Sequence, residues 1–434
     1  MIVNRFSYKK EADWQNIKKW LAKRNIAQDE VEETVKNIIK DVQQKGDLAL
    51  LEYTKKFDCP DFDLSLLVVS EQEMEEAFSK VDKDDLDIIQ EAKQNIFNFH
   101  LQQKEKSWFC PNQDGAVLGQ LVTPVQRAGL YIPGGQGGET PLISSLLMNA
   151  IPALIAGVEE IILVSPPRKD GTLNPYLLTT AHLLGVKKIF KLGSAWAIAA
   201  LALGTESIPQ VDIIVGPGNV FVTMAKKILH GQVGIDMIAG PSEIVVLADK
   251  EAEAKFVAAD LLSQAEHDPM AASILISPSP ILVQAVEDEL QRQVESLPRK
   301  EIALQSLGNW GALIEVSCLE KGIELVNLIA PEHLELLVEN SWDILGLIRN
   351  AGAIFMGEYT PEPVGDYFAG PNHVLPTMST ARFNQALGVE TFYKKTSLIY
   401  SPSAYLQKHG AKIARLARLE GLEAHARSVE VRLS

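Results

Sequence analysis

The chain has 434 residues, which at roughly 150 residues per domain predicts two or three domains. Apolar residues make up 46% of the chain and charged residues 22%, so a sizeable core is expected and general disorder is excluded. Acidic residues outnumber basic ones by 56 to 41, which gives a formal net charge of −15. Because such a surface repels phosphate groups, neither nucleic acid nor an anionic membrane is expected as a partner.

Cysteine usage and the first residues of the chain predict a cytoplasmic protein. Cys59, Cys110 and Cys318 are far apart and form no CxxC pair, so neither a disulfide framework nor a zinc ribbon is indicated. The first twenty residues contain no apolar segment typical of a secretory signal. The most apolar stretch, residues 142–158, is interrupted by polar residues and a proline, and it is too short to span a bilayer.

The spacing of apolar residues predicts the elements in chain order. An amphipathic helix is predicted over residues 29–46, where apolar residues recur at helical spacing. From Gly129 onward, short apolar runs alternate with helical segments, which is typical of strands buried on both faces of a parallel sheet. The predicted strands are GLYIP, EIILVSP, KKIFKLG, VDIIVGPG, EIVVLAD, ASILIS, GALIEV, ELLV and AIFMG. The predicted fold class is therefore α/β, with two Rossmann-like parallel-sheet domains.

These elements divide the chain into four predicted parts. They are an N-terminal helical segment at 1–25, a discontinuous first α/β domain at 26–125 plus 241–382, a second α/β domain at 126–240, and a C-terminal helical arm at 383–434. Within the arm, residues 401–428 are interpreted as two short helices, divided at Gly410 or Gly421. Their apolar stripe, formed by Ile413, Leu416 and Leu419, needs a partner surface.

Two short motifs place chemically capable residues at the ends of predicted elements. In QAEHD, Gln264 and His267 are three apart on one helix face, where both could bind a divalent cation. The spacing fits a solvated helix end equally well. In APEHLEL, a proline-led turn delivers Glu332 and His333 to the start of a strand, where each could act as a general base for a different proton. The alternative is an exposed acidic turn.

Two further motifs lie in the C-terminal quarter of the chain. The irregular segment TPEPVGDYFAGPNH carries Asp366 and His373, and loops of this length are usually functional or disordered. The motif EGLEAH carries Glu420 and His425, which taken alone fit a plain surface helix. Neither motif by itself indicates a particular reaction.

Two glycine turns stand between a predicted strand and a predicted helix. They cover residues 134–138 and 216–219, and both permit a nucleotide, although neither matches the GxGxxG fingerprint. No acidic residue stands where a ribose contact is expected. Walker, GxSxG and HExxH motifs are missing from the sequence, and no cysteine is placed as a nucleophile.

Taken together, these motifs closely resemble the histidinol dehydrogenase family, the enzymes of the last two oxidations in histidine biosynthesis. The resemblance runs over nearly the whole chain, in family order. It rests on GDLALLEYTKKFD, RAGLYIPGG, VGPGN, IAGPSE, QAEHD, APEHLEL, TPEPVGDYFAGPNHVLPT and EGLEAHARSV.

The resemblance implies one zinc ion per subunit and a defined substrate site. The implied metal ligands are Gln264, His267, Asp366 and His425. These four, together with His333, Ser242 and Glu420, are also the implied substrate contacts. The implied reaction oxidises L-histidinol through histidinaldehyde to L-histidine with two NAD. In it, His333 accepts the alcohol proton and Glu332 activates water for the second step.

The resemblance also implies the cofactor contacts and a homodimer. Tyr131 and Asn219 match family positions that contact NAD, but Trp196 stands where a glutamine is expected. Since an indole can stack but lacks the amide hydrogen bonds, weaker or altered NAD binding is predicted. The C-terminal arm is expected to cross to the second subunit and to complete its active site with Glu420 and His425.

Two other functions remain open at this stage. A zinc-dependent hydrolase could use the same metal site with Glu332 as the base toward bound water, but the glycine turns would then have no role. A non-catalytic binding protein descended from the enzyme is favoured by Trp196 and disfavoured by the intact Glu332 and His333.

Overall fold

Three β-sheets organise the part of the chain that the structure, a computed structural model, describes: residues 3–24, 29–135 and 138–433. The strands are β1 (Asn4–Tyr8), β2 (Trp108–Pro111), β3 (Val117–Pro124), β4 (Arg127–Tyr131), β5 (Glu160–Ser165), β6 (Lys188–Lys191), β7 (Ile213–Val215), β8 (Gly234–Ile235), β9 (Glu243–Ala248), β10 (Ala272–Ser277), β11 (Gly311–Val316), β12 (His333–Leu337), β13 (Ala353–Met356) and β14 (Tyr393–Tyr400).

Helices connect and cover these strands. They are α1 (Glu11–Ala22), α2 (Asp29–Lys45), α3 (Asp47–Phe57), α4 (Glu71–Phe78), α5 (Lys83–Leu101), α6 (Ile143–Ala156), α7 (Pro175–Leu183), α8 (Ser194–Leu203), α9 (Val220–Leu229), α10 (Ala254–Ala265), α11 (Pro280–Val294), α12 (Lys300–Trp310), α13 (Leu319–Ile329), α14 (Ser341–Leu345), α15 (Glu362–Val364), α16 (Ser403–Leu419) and α17 (Glu423–Glu430). No helix in the described ranges is both long enough and apolar enough to cross a membrane.

The first sheet is six-stranded and parallel, with the order β1-β11-β10-β9-β12-β13. Helices α10, α11 and α12 cover one face, and α1, α13 and α14 cover the other. Every residue of β9 and of β10 is buried, because helices exclude water from both faces. The continuous apolar runs in the sequence predicted this arrangement.

The second sheet is five-stranded and parallel, with the order β6-β5-β4-β7-β8. Helices α6 and α7 belong to the core on one face, and α8 and α9 belong to the core on the other. Glycine turns follow β4 and β7 at the carboxyl edge of this sheet. The α/β fold class with two parallel sheets is therefore confirmed.

The predicted assignment of residues 26–125 to the first α/β domain is wrong for helices α2 to α5. Helix α2 packs against α8 and α9, α4 against α7, and α5 against α6, so these helices cover the second sheet. Val68 also forms a β-bridge with Phe190 at the end of that sheet. An amphipathic pattern predicts that a helix face is buried, but it does not say against which sheet.

Both terminal segments contain a strand that the sequence interpretation missed. The segment predicted as helical at 1–25 begins with β1, which pairs in parallel with β11 at the edge of the first sheet. The arm predicted as helical at 383–434 contains β14, which pairs with β3 in a small antiparallel sheet of order β14-β3-β2. Helix α16 runs through Gly410, and the break between α16 and α17 falls at Gly421, where φ is 75°.

Candidate active site

The candidate catalytic residues lie at the amino edge of the first sheet. Strands β9 and β12 are parallel neighbours, and His333 is paired with Ile244 at their amino ends. Ser242 and Glu332 each stand one residue before these strands. This edge faces the start of α6 from the second sheet, since the Ser145 hydroxyl lies 3.5 Å from Nε2 of His373. The site therefore lies between the two sheets.

His333 is the centre of this site, and its surroundings determine its tautomer. Nδ1 lies 3.2 Å from the carbonyl oxygen of Glu243 and 3.2 Å from Oε1 of Gln264. Because a backbone carbonyl only accepts hydrogen bonds, Nδ1 carries the proton and Nε2 has a free lone pair. Nε2 is buried without a hydrogen-bond partner among the described residues. Burial lowers the pKa of His333 to about 3, which keeps the ring neutral.

Glu332 lies beside this imidazole but is held separately. Its Oε2 accepts a hydrogen bond of 2.9 Å from the backbone N–H of Glu243 and lies 3.8 Å from Nδ1 of His333. The Ser242 side chain also contacts this carboxyl group. Burial raises the pKa of Glu332 well above its ordinary value, while the Glu243 N–H favours the ionised form.

Two of the predicted metal ligands converge on His333. Gln264 is fully buried near the end of α10, and its Nε2 has no partner in the described part of the chain. Asp366 lies in the π-helical turn Gly365–Ala369 that follows α15, with Oδ1 3.8 Å from Nε2 of His333. His267, the third predicted ligand, lies two residues beyond the end of α10 and three residues after Gln264.

Glu362 belongs to the same cluster, although the sequence interpretation did not single it out. Its Oε1 lies 3.7 Å from Nδ1 of His333, and ligand atoms of Glu362, His333 and Asp366 all lie within 4.8 Å of one another. Burial, followed by the charge of Asp366, raises the pKa of Glu362. The sequence feature that could have identified Glu362 is its position in TPEPVGD, four residues before Asp366.

The donor chemistry of this cluster fits a divalent cation. Burial raises the pKa of Asp366 to about 7 and lowers the pKa of His267 and His333. Crowded carboxyl groups that lack a neutralising charge and imidazoles held neutral are the groups that bind such an ion. The side-chain oxygen of Gln264, Oε1, which lies 3.2 Å from Nδ1 of His333, adds a further oxygen ligand.

A buried ion pair supports the strand that carries Ser242. Arg24 and Glu243 form a salt bridge of 2.5 Å, and both side chains are almost fully buried. Arg24 also donates to the carbonyl oxygens of Pro241, Ser242 and Met270. Sequence reasoning missed this pair, because the two residues are 219 positions apart.

Glu420 and His425 are not part of the cluster within one chain. Both are exposed, at the end of α16 and in α17, and these two helices pack against each other. Helix α16 contacts the turn between β2 and β3, where Nε2 of His409 lies 2.8 Å from a carboxylate oxygen of Asp114.

The predicted cofactor residues lie at the second sheet. The Tyr131 hydroxyl accepts a hydrogen bond of 3.1 Å from the Ser194 N–H at the start of α8. The Asn219 side chain caps α9 by accepting from the N–H groups of Phe221 and Val222. The glycine turn after β4 is described in part, since Gln136 and Gly137 lie outside the described residues.

Trp196, an indole that could stack on a cofactor ring, packs against α3 in this structure. Trp196 is 3% exposed and stacks on Tyr53 and Phe57 of α3, with ring centroids 5.7 Å apart in each case. The indole belongs to the core between α3 and α8. Trp196 lies in a run of apolar helix residues. Such a run does not show whether an indole packs in the core or stacks on a ligand.

The fold and the site define a class: an α/β enzyme with a carboxylate–imidazole centre between two parallel sheets and glycine turns on one of them. The histidinol dehydrogenase family model matches residues 21–433. The histidinol dehydrogenase of Oleidesulfovibrio alaskensis is 59% identical over 99% of both chains, and that of Nitratidesulfovibrio vulgaris is 56% identical over 98% of this chain and 97% of its own.

A solved structure agrees with these relatives. The crystal structure of histidinol dehydrogenase from Elizabethkingia anophelis matches with a TM-score of 0.93 and 38% identity, covering 100% of this chain and 98% of that one. The chain therefore belongs to the histidinol dehydrogenase family, and it is an oxidoreductase.

Proposed function

We propose that this member of the family oxidises L-histidinol through histidinaldehyde to L-histidine, using two NAD and one zinc ion per subunit. The observation that carries the proposal is the state of His333. Its Nδ1 proton is fixed by two oxygen acceptors, and its buried Nε2 is left unpaired, 3.8 Å from a carboxyl oxygen of Asp366. A neutral imidazole with a free, oriented lone pair is suited to accept an alcohol proton.

In the first oxidation, Nε2 of His333 accepts the hydroxyl proton of the substrate. The resulting imidazolium is stabilised at Nδ1 by the Glu243 carbonyl and by Gln264. NAD, when bound, accepts a hydride in each of the two oxidations. The glycine turns, Tyr131 and Asn219 at the carboxyl edge of the second sheet support a dinucleotide site there.

In the second oxidation, Glu332 takes a proton from the water that adds to the aldehyde. The carboxyl group must be ionised for this role, and the Glu243 N–H and the Ser242 side chain stabilise the anion. Because Glu332 is held by the Glu243 N–H and His333 by the Glu243 carbonyl and Gln264, each can act at its own step. No cysteine is required as a nucleophile.

Zinc, when bound, would supply a template that orients the amino and imidazole nitrogens of the substrate. Gln264, His267 and Asp366 would hold it from one chain and His425 from a second copy. A cavity of about 340 Å³ opens beside Asp366 and His373 and is lined mainly by apolar side chains. In this arrangement Ser242, Gln264, His267, His333 and Asp366 contact the substrate from one chain, and Glu420 and His425 from the other.

The exposed arm supports a homodimer with a shared site. Leu416 and Leu419 on α16 are 63% and 75% exposed, which is unfavourable for an isolated helix in water. A second copy of the chain would cover this stripe and would bring Glu420 and His425 to its neighbour's cluster.

The test is NADH formation, followed by absorbance, when histidinol is added to the protein with NAD. We expect two NADH for each histidinol, with the rate abolished by a chelator and restored by zinc. His333→Asn should lose the activity, whereas the matched change at an exposed histidine, His230→Asn, should keep it. Turnover that produces no NADH would favour the zinc hydrolase and refute the proposal.

A further inference from the structure

One carboxyl group at the second sheet has no assigned role. Asp58 caps the end of α3, and its side chain is half-buried. Its Oδ2 is fully buried and finds no hydrogen-bond partner in the described ranges. Burial raises the pKa of Asp58 to about 7. A carboxyl group held in this way is costly to the fold unless a ligand supplies the missing donors.

The position of Asp58 is defined by the glycines around it. A Cβ atom placed on Gly193, in the turn between β6 and α8, would lie 3.0 Å from Asp58 Oδ2 and 2.8 Å from Cβ of Pro166. Pro166 directly follows β5. A Cβ atom on Gly134, in the turn after β4, would lie 2.9 Å from Cγ of the same proline. Asp58 therefore lies at the carboxyl edge, where the turns after β4, β5 and β6 meet.

In dinucleotide-binding α/β folds, an acidic residue commonly lies at this part of the carboxyl edge. In such sites the turn after the first strand approaches the pyrophosphate, and a carboxylate at the end of the second strand binds the ribose hydroxyls. Here the second strand, β5, is followed by Pro166, Pro167 and Arg168, and the one acid of its turn, Asp170, already accepts hydrogen bonds from Thr172. Asp58 reaches the same edge from the end of α3.

The nearest cation of that turn is already engaged. Arg168 forms a salt bridge of 2.5 Å with Glu139, so its charge is partly neutralised. This matters because an unpaired arginine at the end of the second strand favours a 2′-phosphate. The Asp58 carboxyl group, beside a turn whose arginine is already paired, therefore favours hydroxyl groups over a phosphate.

We infer that Asp58 is the carboxylate that binds a ribose diol of NAD and that disfavours NADP by repelling its 2′-phosphate. This inference rests on the proposed function, because NAD is the proposed cofactor. The two hydroxyl groups of the ribose supply the donors that Asp58 lacks, and charge-assisted hydrogen bonds of this kind are roughly twice as strong as neutral ones.

The test compares dinucleotide affinities of the full-length, zinc-loaded protein by calorimetry. Asp58→Asn removes the charge at nearly constant shape, and Asp61→Asn, an exposed aspartate three residues away, is the matched control. We expect the Kd for NAD to rise about tenfold in Asp58→Asn and the Kd for NADP to stay constant or fall. The Kd for histidinol, measured without dinucleotide, should not change, and Asp61→Asn should match the parent.

An NAD-to-NADP affinity ratio equal to that of the parent in Asp58→Asn would overturn the inference and leave the proposed function intact. A parent protein that binds histidinol but neither dinucleotide would overturn both. Thermal melting checks that the variant is folded. If Asp58→Asn does not fold, Asp58→Ser serves in its place, with the same ratio as the criterion.

Discussion

The cluster around His333 and the arm that carries Glu420 and His425 differ in how far one chain completes them. Around His333, side chains from β12, α10 and the segment 362–366 approach a single imidazole within 4 Å. On the arm, both residues are exposed, and the surrounding charges pair among themselves, as Arg418 does with Glu423 and Glu430. Two motifs of similar appearance in the sequence thus lie in a buried cluster and on an exposed helical arm.

The surroundings of the arm explain the difference. Ile399 on β14 is 78% exposed and stands near the start of the arm, and the stripe of α16 is exposed as well. Buried apolar groups fix the side chains around His333, whereas no such packing acts on the arm of a single chain. If the proposed shared site is correct, a single chain carries one part of its own site, and its arm completes the site of a second copy.

The largest expected effect tests this division directly. Asp366→Ala and His425→Ala should each lose nearly all activity, since each removes a proposed zinc ligand. Dimers formed from one chain of each kind contain one site with both ligands intact. A co-expressed mixture of random dimers should therefore regain about a quarter of the parent activity, measured as NADH formation.

The control for this experiment mixes two lesions of the same half-site. Asp366→Ala with His267→Ala should regain nothing, because every dimer then has a damaged cluster in both chains. The presence of mixed dimers is verified by purifying the proteins through two different tags. If verified mixed dimers of the first pair were inactive, the shared site would be refuted.

A smaller effect is expected from substitutions that separate the role of His333 from that of Glu332. His333→Asn should slow the oxidation of histidinol by about 10²–10⁴-fold, the usual contribution of a general base. Glu332→Gln should oxidise histidinol to the aldehyde at a rate closer to that of the parent and should fail at the aldehyde. Single-turnover NADH release, started from histidinol or from histidinaldehyde, separates the two steps.

The matched control for Glu332→Gln is Glu339→Gln, an exposed glutamate just beyond β12. It should behave as the parent with both substrates. If Glu332→Gln oxidised histidinaldehyde at the parent rate, its role in activating water would be wrong, and the cluster would contain one base for both steps.

Much of this site could be predicted from local sequence, because motifs place their residues at the ends of elements. Gln264 with His267 and Glu332 with His333 were found in this way, each pair within four residues along the chain. That these pairs meet depends on the pairing of β9 with β12. Only the family resemblance predicted their meeting, since strand order is set by long-range packing.

The sequence did not reveal Arg24 and Asp58, and the physical reason is the same for both residues. Arg24 and Asp58 act at places fixed by strands more than a hundred positions away, so nothing in their own neighbourhood reveals them. The misassigned helices α2 to α5 show the same limit, because a helical stripe fits any apolar surface. The packing of Trp196 was not predicted, because a buried indole and a ligand-stacking indole look alike in sequence.

The smallest effect concerns the carboxyl pair behind the cluster. Glu335 is buried on β12 beside Asp260 of α10, and its Oε1 accepts a hydrogen bond from the Glu362 N–H. Burial and the charge of Asp260 raise the pKa of Glu335. A raised carboxyl pKa costs stability as pH rises from the ordinary glutamate pKa of about 4 toward the folded value. Glu335→Gln, which keeps a donor toward Asp260, removes this cost.

We therefore expect Glu335→Gln to gain stability relative to the parent between pH 5 and pH 9, by at most about 1.4 kcal/mol per pH unit. Urea denaturation at the two pH values measures the difference, with Glu339→Gln as the exposed control. A difference that is the same at both pH values would mean that Glu335 does not titrate in the folded chain.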